Sequence, residues 1–192
     1  MKIGVLALQG DFEAHRAMLD ALRVQTSEVR TAAGLAGLDA IVLPGGESTT
    51  QLKFLQEEGL FHPLQKFAAE GGAMFGTCAG AILMAREVLN PRQESLGLID
   101  MTVLRNGYGR QLSSEVRQGR TLLKTAPLEL VFIRAPIIER IGPGVEVLAE
   151  DGGHPVLVRQ GNLLAATFHP ELTGDFTIYS YFLGLIGERV RV

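Results

Sequence analysis

Short apolar runs alternate with amphipathic stretches along the first half of the chain. The apolar runs, each of a length typical of a buried strand, are residues 2–8, 40–43 and 73–77, and a further strand is expected at residues 26–29. Between them, apolar side chains recur at helical spacing, as at Phe12, Leu19 and Leu22. Because parallel strands need long crossover connections, this alternation predicts a parallel sheet whose strands are joined by helices.

The pattern changes in the second half of the chain. Between residues 96 and 168, short extended runs are separated by glycine, proline and charged residues, which indicates several more strands. The clearest of these runs are residues 128–133, 145–149, 155–159 and 163–168. Tyr179, Phe182 and Ile186 then recur at helical spacing and predict a closing helix. The expected fold class is α/β, a three-layer α/β/α sandwich with a mostly parallel central sheet to which the second half adds antiparallel strands.

Composition and charge narrow the class of protein. Of the 192 residues 46% are hydrophobic, so one sizeable core and a single domain over residues 1–192 are expected. The formal net charge is -3 and no block of Lys or Arg stands out, which argues against binding to nucleic acid. The first apolar run is too short for a secretory segment, and no run approaches the roughly 18 to 20 residues of a membrane helix. A cytoplasmic protein that does not bind membranes is therefore expected.

Cys78 is the single cysteine of the chain and the first candidate for chemistry. With one cysteine, an intramolecular disulfide and a cysteine-rich zinc site are excluded. The acyl-transfer reaction predicted below requires neither a metal nor an organic cofactor. The residue lies in Gly-Thr-Cys-Ala-Gly at 76–80, between a predicted strand and a predicted helix. A buried, unreactive cysteine is the alternative interpretation, but the two flanking glycines disfavour it.

A corner between a strand and a helix suits a nucleophile. Such a turn exposes its central side chain at the edge of the sheet, and glycines on either side avoid collisions with neighbouring backbone. The N-terminus of the helix favours the thiolate of Cys78, which is its reactive form. The amide of Ala79, the next residue, is placed to bind an oxyanion.

A cysteine nucleophile needs a base, and the base needs an acceptor that orients it. His169 follows the apolar run 163–168, so it should emerge at the carboxyl end of a strand, where open α/β sheets place their sites. Glu171 lies two residues beyond His169, so both side chains can project to the same side. Taken alone, His-Pro-Glu fits a packed or solvated strand end, but together with Cys78 it predicts a catalytic group. The remaining histidines are expected at the surface: His15, His62 and His154.

A third motif, Pro-Gly-Gly-Glu-Ser at 44–48, also lies between a predicted strand and a predicted helix. Two adjacent glycines let the backbone turn its amides inward, which makes Gly46 a second candidate oxyanion donor. Glycine-rich loops also bind phosphate, but the Lys-Ser or Lys-Thr ending of a P-loop is missing. The alternative is a plain turn in which Ser48 or Thr49 caps the next helix.

These three motifs occur in the order found in the triad, or class I, glutamine amidotransferases, which the chain resembles. Four further blocks make it similar to one branch, the glutaminase subunits of pyridoxal 5'-phosphate synthase. The blocks are Ala-Leu-Gln-Gly-Asp at 7–11, Arg-Asn-Gly-Tyr-Gly-Arg-Gln at 105–111, Phe-Ile-Arg-Ala-Pro at 132–136 and Phe-His-Pro-Glu-Leu-Thr at 168–173. The resemblance covers essentially the whole chain and implies the flavodoxin-like sandwich of these enzymes.

The resemblance also implies a site and a partner. Cys78 would be the nucleophile, with His169 and Glu171 as its catalytic partners; these three residues are called the triad below. The residues implied to contact the substrate, L-glutamine, are Gly46, Glu47, Ser48, Arg105, Ile133 and Arg134. The implied partner is a TIM-barrel synthase subunit, in a large hetero-oligomer that makes pyridoxal 5'-phosphate.

The predicted reaction is acyl transfer from glutamine to Cys78. The amides of Gly46 and Ala79 would bind the oxyanion, His169 would protonate the departing ammonia, and water would then hydrolyse the glutamyl thioester. Three alternatives stay open at this point. They are a glutaminase that serves another synthase, such as that of histidine biosynthesis; a cysteine hydrolase acting on peptides or γ-glutamyl compounds; and a non-catalytic binding subunit that keeps the fold.

Overall fold

The structure of the protein is a computed structural model in which residues 1–107 and 115–189 are described. Residues 108–111, the second part of the motif that begins at Arg105, lie outside the described residues. The strands are β1 (Lys2–Leu6), β2 (Gln25–Val29), β3 (Ala40–Leu43), β4 (Ala73–Thr77), β5 (Ala85–Leu89), β6 (Ile99–Leu104), β7 (Glu115–Thr121), β8 (Leu128–Phe132), β9 (Ile137–Ile141), β10 (Glu146–Asp151), β11 (His154–Gln160) and β12 (Leu163–Ala166). The helices are α1 (Phe12–Ala21), α2 (Ser48–Glu57), α3 (Phe61–Ala69), α4 (Ala79–Met84) and α5 (Thr177–Arg189).

Within the described residues, the main sheet has nine strands in the order β2-β1-β3-β4-β12-β11-β10-β7-β8. The first five of these strands are parallel. The last four continue the sheet with antiparallel pairs. A second, smaller sheet consists of β5, β6 and β9. The expected α/β architecture is thereby confirmed, with parallel strands at the centre and antiparallel strands added by the second half.

Both faces of the central strands are buried, which is the mark of a sandwich with helices on either side. Along β3, Ile41 and Leu43 pack into one apolar cluster, while Ala40 and Val42 pack into the other. All four side chains are fully buried. Because successive strand residues point to opposite faces, a continuous apolar run is what such a position requires.

The predicted and observed ends of β1 differ. The prediction extends to residue 8, whereas the strand ends at Leu6. The chain leaves the sheet because Gln9 and Gly10 turn toward the loop after β3, where the Glu47 N–H donates to Gln9 Oε1 at 2.9 Å. The bounds predicted for β3 and β4 agree with the structure, and the closing helix is confirmed as α5.

Sheet order brings the chemical motifs together. The strands β3, β4 and β12 are neighbours, and their carboxyl ends lie at one edge of the sheet. The loop at 44–48 follows β3, Cys78 follows β4, and His169 lies three residues beyond the end of β12. Sites of open α/β sheets lie at such an edge. In the described ranges, 1–107 and 115–189, no helix has the length and apolar character needed to cross a membrane.

Candidate active site

Cys78 occupies the corner between β4 and α4, where its backbone has φ 46° and ψ -100°. Positive φ is strained for a residue that has a β-carbon, and such strain is concentrated at functional sites. The flanking glycines make room for the corner. A β-carbon on Gly80 would lie 2.0 Å from the Leu43 carbonyl oxygen, and one on Gly76 would lie 2.7 Å from the backbone of Gly80.

The His169 ring lies beside the thiol and is held from behind by a carboxylate. Its Nδ1 is 2.7 Å from Glu171 Oε1, so Nδ1–H donates to Glu171 and Nε2 is left for Cys78. Burial lowers the pKa of His169, but hydrogen bonds and charge interactions with Cys78 and Glu171 outweigh burial and raise this pKa to about 10. The Cys78 sulfur also lies 3.9 Å from the Ile133 carbonyl oxygen, to which the thiol can donate.

Glu171 is a carboxylate buried among donors. Its side chain is fully buried, and Oε1 lies 3.4 Å from Nε2 of His15 as well as against His169. Burial raises the pKa of Glu171, but His15 and His169 together lower it to about 2. The carboxylate is therefore ionised at neutral pH and fixes the orientation of the His169 ring.

His15 is buried, so the expectation that it lies at the surface is wrong. Its ring sits on the inner side of α1, with Nε2 3.0 Å from the Thr77 hydroxyl and Nδ1 2.7 Å from the Tyr179 hydroxyl. A sequence signal for this exists, because Met18 and Leu19 lie three and four residues further on and share the buried face of α1. Two histidines are exposed as expected: His62 and His154.

The loop after β3 passes over the imidazole. A β-carbon on Gly45 would lie 2.4 Å from His169 Cε1, and Gly46 has a φ of 152°. The Gly45 carbonyl oxygen accepts from the Asp11 amide at 3.3 Å. Because the C=O and N–H of a trans peptide point in opposite directions, the Gly46 N–H points away from Asp11. The roles of Gly46 and of Ala79, the first residue of α4, as oxyanion donors stay predictions.

Gln51 holds this loop in place, and the sequence motifs did not single it out. It is fully buried on α2, and its Nε2 lies 3.1 Å from the carbonyl oxygens of both Gln9 and Pro44. A third carbonyl oxygen, that of Gly45, lies 3.4 Å away. One amide group thus ties the loop after β1 to the loop after β3. The sequence signal for this role is slight: Gln51 lies on α2 beside Leu52, within an amphipathic stretch.

A cavity of about 340 Å³ opens above the thiol, which is within the usual size range of small-molecule sites. Two members of the triad, Cys78 and His169, line it. All the residues predicted to contact substrate line it as well: Gly46, Glu47, Ser48, Arg105, Ile133 and Arg134. Among the described non-glycine residues four have positive φ, and two of these, Cys78 and Arg134, lie on this cavity. Strain and predicted chemistry therefore coincide.

The outer wall of the cavity is called the rim here and consists of Glu47, Arg105, Ile133 and Arg134. Arg105 Nη2 lies 3.3 Å from Glu47 Oε1 and 2.8 Å from the Thr49 hydroxyl. Glu47 also caps α2 by accepting from the Thr50 amide at 2.8 Å, so the cap is neither Ser48 nor Thr49. Burial raises the pKa of Glu47, but the hydrogen bonds from Thr50 and Thr49 outweigh burial and lower it.

Ser48 and Arg134 meet the cavity differently. Ser48 is 3% exposed, and its hydroxyl donates to Gln93 Oε1 at 3.0 Å, so this hydroxyl is engaged within the protein. Arg134 is exposed and has φ 47°.

In the described residues, no group of three or more His, Cys, Asp or Glu side chains is arranged to hold a metal ion.

The chain is similar in sequence to proteins of one family. The sequence model of the SNO glutamine amidotransferase family matches residues 5–188. A protein of Koribacter versatilis (strain Ellin345), called pyridoxal 5'-phosphate synthase subunit PdxT, is 53% identical over 186 residues, which are 97% of this chain and 96% of that protein. A protein of the same name from Thermus thermophilus is 50% identical over 187 residues, covering 96% of this chain and 97% of its own length.

A solved structure described as a glutamine amidotransferase superposes with a TM-score of 0.91 at 48% sequence identity. The superposition covers 96% of this chain and 98% of the other. The similarity is therefore one of whole chains.

Proposed function

The chain belongs to the SNO glutamine amidotransferase family, and on this premise we propose that it is a glutaminase that hydrolyses L-glutamine to L-glutamate and ammonia through Cys78. The proposal rests on the contact between three side chains of this protein, those of Cys78, His169 and Glu171, in a chain that belongs to a glutamine amidotransferase family. Cys78 sits in a strained corner, His169 lies beside it, and Glu171 holds the far side of the imidazole at 2.7 Å. A binding subunit without catalytic activity would gain nothing from a strained backbone at Cys78.

The first half of the reaction forms a thioester. The Cys78 thiolate attacks the side-chain carbonyl carbon of glutamine, and the charge that develops on the oxygen is bound by the amides of Gly46 and Ala79. When the tetrahedral species collapses, the C–N bond breaks and His169 donates its proton to the departing nitrogen. A histidine whose pKa is raised to about 10 is protonated at neutral pH and can supply this proton.

The second half releases glutamate. His169, now neutral, takes a proton from a water molecule, whose oxygen attacks the thioester carbonyl carbon. The C–S bond breaks, the thiolate of Cys78 is restored, and glutamate leaves as the acid. Glu171 keeps Nδ1 protonated throughout, so that Nε2 exchanges the proton in both halves.

Glutamine binds with its α-amino acid end at the rim. This end carries a carboxylate and an ammonium group, and the rim carries the oppositely charged Glu47 and Arg105 3.3 Å apart. A planar guanidinium suits a carboxylate, and a carboxylate accepts from an ammonium group. When glutamine binds, contacts from its α-carboxylate to Arg105 and from its α-ammonium group to Glu47 therefore replace the contact between these two side chains. The backbone at Gly46, Ser48, Ile133 and Arg134 completes the binding site.

The ammonia is delivered to a synthase that makes pyridoxal 5'-phosphate, in the cytoplasm. The relatives at 53% and 50% identity are named as subunits of that synthase, and a subunit needs a partner. Ammonia in neutral water is mostly protonated and is then no nucleophile, so its release next to a synthase site is chemically useful. The partner subunit is a TIM barrel, and the two kinds of subunit form a large hetero-oligomer.

The test is glutamine hydrolysis by the wild type and by Cys78→Ala, each with and without the synthase subunit. Glutamate and ammonia should form in equal amounts with the wild type, more rapidly with the synthase, and the variant should release none above background. An electrophilic glutamine analogue should label the wild type on Cys78 and leave the variant unlabelled. Equal rates for the two proteins contradict the proposal, and so does stimulation by the histidine-pathway synthase in place of the pyridoxal phosphate synthase.

A further inference from the structure

His15 touches neither the cavity nor the thiol, yet it is built into the back of the triad. Glu171 Oε1 lies within 2.7 Å of His169 Nδ1, 3.4 Å of His15 Nε2 and 3.5 Å of the Thr77 hydroxyl. The other oxygen, Oε2, is buried and has no hydrogen-bond partner in the described residues. The carboxylate is therefore held through one oxygen, by hydrogen bonds from His169 and from the Thr77 hydroxyl, and His15 Nε2 lies 3.0 Å from that same hydroxyl.

The orientation of the His15 ring is set from its other side. Its Nδ1 is 2.7 Å from the Tyr179 hydroxyl, and the ring meets Phe75 edge-on with centroids 6.3 Å apart. Burial together with the charges of Glu171 and Asp11 raises the pKa of Tyr179 well above its usual value, so the phenol keeps its proton. Tyr179 can therefore donate to Nδ1, and in this arrangement the ring proton of His15 is on Nε2, the nitrogen that faces the Thr77 hydroxyl and Glu171.

We propose that His15 is a positioning residue of the glutaminase reaction, which holds the Glu171 carboxylate against His169 Nδ1 and so keeps His169 Nε2 turned to Cys78 with the correct proton. This inference rests on the proposed function. A buried carboxylate that loses a donor takes up a proton more readily. A protonated Glu171 donates to His169 Nδ1, which drives the histidine proton to Nε2, and an imidazole in that form cannot take a proton from the thiol or from water.

The charged and titratable groups around His15 come from three parts of the chain: α1, α5 and the segment after β12. His15 Nε2 lies 3.0 Å from the Thr77 hydroxyl, which itself donates to Glu171, and 3.4 Å from Glu171 Oε1. Tyr179 on α5 faces Nδ1, and Asp11 at the start of α1 acts on Tyr179. His169 lies on the far side of Glu171. Burial raises the pKa of Glu171, and the contacts with His15 and His169 together lower it, so the carboxylate stays ionised between the two rings.

The test compares His15→Leu with His15→Gln, each assayed as the full chain with its synthase. Leucine removes the N–H, whereas glutamine keeps a side-chain N–H donor near the place of Nε2. For His15→Leu we expect kcat to fall roughly 10- to 100-fold, as for other residues that orient a functional histidine. KM should stay within about twofold, because His15 does not line the cavity. His15→Gln should recover most of the loss.

The pH profile separates positioning from general damage. Loss of His15 raises the pKa of Glu171, so the acid limb of kcat should move to higher pH in His15→Leu and return toward the wild-type position in His15→Gln. The matched control is His62→Gln, an exposed histidine whose ring bonds Gln65, and it should match the wild type. An unchanged kcat in folded His15→Leu overturns the inference, as does a loss of kcat without any shift of the acid limb.

Two further measurements cover the cases in which this comparison fails. If His15→Leu does not fold, Tyr179→Phe removes only the hydroxyl that orients the ring, and it should give a smaller loss of kcat with the same shift of the acid limb. If the wild type releases no ammonia from glutamine, the proposed function fails, and the His15 contact is then read by ¹⁵N NMR of the histidine rings. Protons on both ring nitrogens of His169 in the wild type at neutral pH, with the Nδ1 proton lost in His15→Leu, support positioning; identical spectra overturn it.

Discussion

The triad and the rim lie on the same cavity but are held in different ways. Glu171 is fully buried and is surrounded by side chains from the core, whereas the Glu47 side chain is 47% exposed. The partners of the triad, such as His15 and Thr77, belong to elements that carry the fold. Glu47 accepts from Thr49 and Thr50 on α2, and its charged partner is Arg105, another residue of the rim.

The difference follows from what each group does. A proton relay must keep its geometry through both halves of the reaction, so its members gain from partners that do not move. Groups that bind the ends of a substrate must release their resting partners when it arrives, so they lie where water can replace those partners. Substitutions behind the triad should therefore lower kcat, and substitutions at the rim should raise KM.

The largest effect is expected where the fold and the triad meet, at the corner that carries Cys78. In Gly80→Ala the new β-carbon would lie 2.0 Å from the Leu43 carbonyl oxygen, so the backbone of the corner must move. A displacement of the nucleophile by about 1 Å should lower kcat by at least about 100-fold. The control is Gly184→Ala on α5, where a β-carbon meets nothing within 4 Å. Comparable activity of the two variants would contradict the importance of the corner.

A substitution at Glu171 tests whether the negative charge of this side chain matters in addition to its shape. Glu171→Gln keeps the size of the side chain and removes the carboxylate that helps raise the pKa of His169. We expect kcat to fall by roughly 10- to 100-fold with little change in KM. His169 loses its proton as the pH rises through its raised pKa, and without the carboxylate this happens sooner, so the alkaline limb of the kcat profile should move to lower pH. An alkaline limb that stays in place would show that Glu171 does not act through His169.

A substitution at the rim should have the opposite signature. Arg105→Ala removes a charge that lies 3.3 Å from Glu47 and leaves the triad untouched. We expect KM for glutamine to rise about tenfold, which corresponds to about 1.4 kcal/mol of binding, with kcat changed much less. Arg92→Ala, at an exposed arginine away from this cavity, is the control and should behave as the wild type. A kcat loss as large as that of Glu171→Gln would remove the distinction between triad and rim.

The smallest effect on catalysis is expected at Gln51, which supports the loop between the two regions. Gln51→Leu is similar in size but leaves three backbone carbonyl oxygens, those of Gln9, Pro44 and Gly45, without this donor. Unfolding by urea should show a loss of about 1–3 kcal/mol, and kcat should fall only a few-fold. Unaltered stability together with unaltered kcat would mean that the loop is held by its other contacts alone.

The sequence predicted the elements of the central sheet because their signal is local. A run such as Ala40–Leu43 is apolar on both faces, and only a strand covered on both sides requires that. Cys78 stood out for a similar reason, since glycines at both ends of a five-residue motif mark a corner that excludes β-carbons. His15 was misplaced because a histidine on an amphipathic helix is ordinarily exposed, and its two buried partners lie 62 and 164 residues away.

By itself, the sequence determined which residues could react and which fold would carry them, since apolar periodicity and motif spacing are properties of neighbours along the chain. The tertiary structure alone decided how those residues are oriented: which oxygen of Glu171 faces His169, Thr77 and His15, which side chain ties the loop at Gly45 to that at Gln9, and that Glu47 and Arg105 are already paired. These are contacts between segments far apart in the chain. Their geometry depends on strand order and helix packing, which no single segment encodes.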